Sequence, residues 1–90
     1  MGLKALITLD LTDANGEQRE KFYDVLKKEK WNKIPILTTA WTASFNDDVN
    51  RNKAIITLKA HLQKAKNESK IKKVEYAMQL SIENVEIGSC

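Results

Sequence analysis

Residues 4–13 read KALITLDLTD. With Leu3 in front of them, Ala5, Ile7, Leu9 and Leu11 recur at a period of two, so they share one face of a β-strand and leave Lys4, Thr8 and Asp10 on the other. The strand carries Asp10 and Asp13 to its own carboxyl end, just ahead of a helix start. Open α/β sheets place metals and ligands at such a position, and ordinary turns also place Asp there.

Working outward, DANGEQ at 13–18 reads as a turn followed by a helix start, with Asn15 as N-cap and Gln18 three residues on in capping-box relation. The helix is expected over about 17–29, its spacing traced by Phe22, Val25, Leu26 and Glu29, with Phe22 and Leu26 toward the sheet and Lys27, Lys28 and Lys30 where the helix dipole favours cations. Residues 36–44 have strand composition, and no Gly, Asn or Asp interrupts them. They are read as one long strand that starts at Pro35 or sits at a sheet edge, with Leu37, Thr39, Trp41, Ala43 and Phe45 on one face. Asn46, Asp47 and Asp48 then offer caps for a second helix, which carries the clearest stripe in the chain: Val49, Ala54, Ile55, Leu58, Leu62 and Ala65, ending near Asn67. His61 lies beside this stripe and reads as a boundary side chain with a local hydrogen bond. A third strand over 74–82 alternates Val74, Tyr76, Met78, Leu80 and Ile82 against polar or small residues. Asn84 breaks the phase, so 84–87 is an optional terminal strand, free to leave the parent sheet.

The order is β-α-β-α-β with an optional C-terminal strand. Crossovers of this length put both helices on one face of the sheet, giving a single α+β ferredoxin-like domain over residues 1–90. The other face needs cover, which a second copy of the chain or a nucleic acid backbone would supply. A homodimer is the expected assembly, because a chain this short leaves sheet edges and a face to bury.

Composition narrows the function. With 42% hydrophobic and 30% charged residues, and no apolar run near the roughly 18 residues of a membrane span, a cytoplasmic protein with no membrane partner is expected. Cys90 is the one cysteine, which excludes an internal disulfide or a thiolate cluster. No Gly-rich phosphate loop, serine elbow or His/Cys cluster is present, so other enzyme classes find no support. The net charge of +3 is small but uneven: Lys59, Lys64, Lys66, Lys70, Lys72 and Lys73 crowd a stretch whose single acid is Glu68. These lysines are the candidate nucleic-acid contacts, for RNA or DNA, and a solvated helix face is their other reading.

Three stretches resemble those of the CRISPR-associated protein 2 and virulence-associated protein D families: ITLDLT at 7–12, ILTTAW at 36–41 and VEYAMQLS at 74–81. The resemblance implies a homodimer of ferredoxin-like subunits with Asp10 of each copy facing its mate, and it makes Asp10 the candidate catalytic and metal-binding residue. Leu37 stands where those families commonly carry Gln, and the first helix alternates in charge where theirs is arginine-rich. Two readings follow. One is a non-catalytic dimeric module that binds nucleic acid or protein, of the antitoxin, mobile-element or adaptor kind and without a cofactor. The other is a toxin-type endoribonuclease in which paired Asp10 carboxylates hold Mg²⁺.

Overall fold

A computed structural model describes residues 2–37 and 39–90. The elements run β1 (Lys4–Thr12), α1 (Gly16–Lys28), β2 (Asn32–Lys33), β3 (Ala40–Ser44), α2 (Arg51–Ser69) and β4 (Lys73–Ser81). The four strands form one antiparallel sheet in the order β2-β3-β1-β4. The ferredoxin-like arrangement is as expected, but its β-α-β-β-α-β succession has one more strand after α1 than the expected β-α-β-α-β order and none at the carboxyl end.

β1 is the central strand, and its parity decides the layers. Ala5 and Ile7 are fully buried and Leu9 and Leu11 nearly so, while Thr8 and Asp10 between them are exposed. The buried set packs with Phe22, Val25 and Leu26 of α1 and with Ala54, Leu58, Leu62 and Ala65 of α2 in one core, so both helices lie on the same face. Ile7, Leu26, Phe22, Leu58 and Trp41 are the largest side chains wholly inside, each contributing about 1.5–3 kcal/mol of transfer free energy.

Local chemistry sets the element ends. Asn15 Oδ1 accepts from the Gln18 amide at 2.8 Å and Gln18 Oε1 accepts from the Asn15 amide at 3.1 Å, the complete capping box that DANGEQ implies. α2 is capped by Asn50, whose Oδ1 accepts from the Lys53 amide at 2.9 Å. The expected caps Asn46, Asp47 and Asp48 instead belong to the preceding turn region, and Asn46 O accepts from the Val49 amide at 3.1 Å. Each helix is followed by a lysine in the left-handed region, Lys30 (φ 70°) and Lys70 (φ 61°).

Two expectations are corrected. The long strand over 36–44 is a hairpin: the Leu37 amide donates to Ile34 O at 3.1 Å, and the Ile34 amide donates to Ala40 O at 3.0 Å. Pro35 therefore occupies the second position of a turn, where its fixed φ is favoured, and the strand proper is Ala40–Ser44. Thr38, inside the expected strand, lies outside the described residues. Trp41 pairs with Ile7 and is wholly buried on the helix side, so it does not contribute to the outer face. The second correction is at the end of the chain. Residues 82–90 form no strand; instead Asn84, Val85 and Glu86 share a cavity of about 270 Å³ with Lys4, Leu6, Gln79 and Ser81, beside one end of the sheet's outer face. Cys90 is exposed and free of a disulfide.

Candidate functional site

The surface that the fold leaves available is the sheet's outer face. The register places Lys4, Leu6, Thr8, Asp10 and Thr12 of β1 beside Ser81, Gln79, Ala77, Glu75 and Lys73 of β4, with Thr42 and Ser44 of β3 on the other flank. Small and polar residues dominate, and among the described residues no aromatic side chain belongs to this face, because Trp41 and Tyr76 have the parity of the core. Leu6, Thr8, Ala77 and Gln79 line a shallow depression of about 170 Å³ near its centre.

Asp10 lies on this face, exposed and directly opposite Glu75. Like charges across a ladder repel, and Glu75 is balanced by Lys73 at 3.8 Å. The Asp10 carboxylate makes no hydrogen bond or ion pair with a described residue. It also borders a cavity of about 400 Å³ shared with Leu11, Arg19, Tyr23, Lys33 and Thr39, a size within the roughly 300–1,000 Å³ of small-ligand pockets. Two cations thus stand on one side of Asp10 and a carboxylate on the other. No group of three or more His, Cys, Asp or Glu that could hold a metal ion occurs among the described residues. Asp13, the other carboxylate of the β1 terminus, takes φ 55° in the turn.

The six candidate lysines do not form one patch. Lys59 and Lys66 flank a groove of about 230 Å³ between α2 and β4, floored by Leu62, Val74 and Tyr76. Lys64 turns the other way and reaches Glu29 at 3.3 Å. Lys70 ends α2, and its carbonyl accepts from Gln18 Nε2 at 3.2 Å. Lys72 is exposed ahead of β4, and Lys73 belongs to the outer face.

His61 bridges elements and does not bond locally. Trp31 Nε1 donates to His61 Nδ1 at 3.0 Å, and His61 Nε2 lies 2.9 Å from Glu29 Oε2. An acceptor at Nδ1 means the neutral ring carries its proton on Nε2, aimed at the carboxylate. Glu29 also holds Lys64, so the chain Trp31–His61–Glu29–Lys64 ties the end of α1 to the middle of α2. It is a structural clamp that the sequence showed only as a histidine beside an apolar stripe.

No helix among the described residues is long and apolar enough to cross a membrane. No family model matches the chain, and no curated protein matches it. Among solved structures, the crystal structure of protein SP2199 from Streptococcus pneumoniae is similar over 94% of this chain and 90% of that one, with a TM-score of 0.57 and 12% identity. At that identity the likeness is one of fold, and it supports the ferredoxin-like architecture.

Proposed function

We propose that this chain is a non-catalytic homodimeric binding module in which the outer faces of two sheets cover each other. The observation that carries this reading is the composition of that face. Leu6, Thr8, Ala77, Gln79 and Thr42 form an uncharged centre of mostly small side chains on the strands β1, β3 and β4. A sheet face of this kind suits another sheet packed about 10 Å away, and closed two-fold pairing is the commonest way for a small chain to supply one. Single-stranded nucleic acid on the same face is disfavoured, because base binding on a sheet draws on aromatic stacking platforms and this face has none among its described residues. The dispersal of the six lysines over separate surfaces points the same way, so the partner we favour is a protein.

One observation keeps the endoribonuclease reading as the alternative. Asp10 is exposed on the face proposed to be shared, so a face-to-face dimer brings two Asp10 carboxylates into one interface. Magnesium is commonly held by one or two carboxylates plus phosphate oxygens. Within one chain the fit is poor, since Arg19 and Lys33 flank Asp10, Lys73 neutralises the opposing Glu75, and no group of three or more ligand side chains occurs among the described residues. In a dimer the paired Asp10 carboxylates would hold the metal, and it would supply charge stabilisation for phosphodiester cleavage.

Incubation of the wild type and Asp10→Asn with a mixed-sequence RNA and Mg²⁺ tests the choice. The binding-module reading expects no cleavage by either protein, with dimerisation intact in both. Cleavage by the wild type that disappears in Asp10→Asn establishes the nuclease.

A further inference from the structure

We infer that the β4 edge of the sheet, with the groove that α2 builds beside it, is a docking site for an acidic extended segment of another protein, added as a fifth strand. The inference rests on the protein-binding reading, but not on the dimer, because the edge and the outer face are different surfaces.

The backbone carries the first part. β4 lies at the end of the sheet order and pairs with β1 through nine consecutive residues, Lys73 to Ser81, without a bulge. About half of these residues point their N–H and C=O groups away from β1, where no strand among the described residues meets them. Natural edges are blunted by shortness, Pro, Lys, bulges or a covering element. The opposite edge of this sheet is blunted: β2 has two residues, Asn32 and Lys33, and Pro35 follows. β4 has charge only at its start, in Lys73 and Glu75, and the stretch Tyr76 to Leu80 has no charge and no Pro.

The side chains carry the second part. On the helix side of β4, Val74 and Tyr76 join Leu62 as an apolar floor, and Tyr76 remains 42% exposed on the strand. Lys59 and Lys66 rise from α2 as the rim, seven residues and so two turns apart on one face. Neither ammonium group makes an ion pair with a described residue. A strand laid along the edge sets alternate side chains onto this floor and into reach of these cations, the arrangement of strand-addition recognition. One set of alternate side chains faces both the floor and the rim, so the complementary segment carries its acids and its apolar residue in that same set, with Glu or Asp at either end and the apolar residue between them.

Charge also argues against a second copy at this edge. Two β4 strands paired about a two-fold axis would bring two α2 rims together, setting Lys59 and Lys66 of each copy against like charges.

The test titrates two acetylated, amidated heptapeptides, TETVTET and TKTVTKT, whose second, fourth and sixth side chains share one face, into the ¹⁵N-labelled protein, with amide hydrogen exchange read residue by residue. The acidic peptide is expected to saturate, to slow exchange at alternate residues of β4, and to bind at least tenfold more tightly than the basic one. The double variant Lys59→Glu/Lys66→Glu is expected to reverse that preference while keeping the wild-type spectrum elsewhere. No shift in β4 at about 1 mM acidic peptide, equal response to both peptides, or protection confined to the outer face would overturn the inference. So would β4 amides already protected in the peptide-free dimer but not in a monomeric outer-face variant, since a second copy would then occupy the edge. Measuring oligomeric state on the same samples separates these failures from a failure of the dimer itself.

Discussion

The two faces of the sheet are built from the same strands and serve different ends. On β1, Ala5, Ile7, Leu9 and Leu11 disappear under two helices, while Lys4, Leu6, Thr8 and Asp10 alternate with them and meet no helix. The inner face is where stability resides, because apolar area removed from water there has no substitute. The outer face has side chains too small or too polar to stabilise a monomer, yet it is uncharged at its centre. A residue's parity, more than its type, decides which role it takes.

If that division is right, substitutions should rank by face. Leu58→Ala, at a fully buried position of α2, is expected to lose about 2–5 kcal/mol through lost transfer energy and a residual cavity. Denaturant unfolding measures this, and a wild-type midpoint would mean that α2 does not close the core. Trp31→Phe comes next: it removes the donor to His61 Nδ1 and leaves that half-buried acceptor unmatched, at a cost of about 1–3 kcal/mol. Its measure is the thermal midpoint. Removing Glu29, the acceptor on the other side of the ring, should add little once Trp31 is gone if the clamp acts as a unit.

Asn15→Ala sharpens the comparison from another side, since an exposed residue here does contribute to stability. It strips the capping box from α1, and a loss of about 1 kcal/mol is expected. Lys30→Gly should move stability the other way, by up to about 1 kcal/mol, because its φ of 70° is strained for a residue with a Cβ. Smallest of all is the outer face: Thr8→Lys, at an exposed position, is expected to change the monomer's unfolding free energy by no more than about 0.5 kcal/mol.

Much of this division can be read from the chain. The period of two in β1 and β4 and the steps of four from Phe22 to Leu26 and from Leu58 to Leu62, with the step of three to Ala65, place those elements, and they assign Asp10 to the outer face. The β2–β3 hairpin is less legible for a physical reason. Its turn uses Pro35 and apolar Ile36 in place of Gly or Asn, and Ile36 stays 58% exposed despite its strand-like character. Helix ends are similarly obscured, since Lys30 and Lys70 occupy conformations that usually announce themselves with glycine. The lysine cluster misleads because sequence proximity on a helix is not spatial proximity. Lys64 and Lys66 are two residues apart, so they point to nearly opposite sides, one to Glu29 and the other to the β4 groove.

The most direct test of the outer face as an interface is light scattering on the wild type beside Thr8→Lys. β1 is an interior strand, so this substitution charges the face without touching either sheet edge. At micromolar concentration the wild type should weigh about twice the 10.3 kDa chain, and Thr8→Lys should weigh one chain while unfolding as a stable domain. A wild type that weighs one chain, or a Thr8→Lys variant that remains a dimer, contradicts the account.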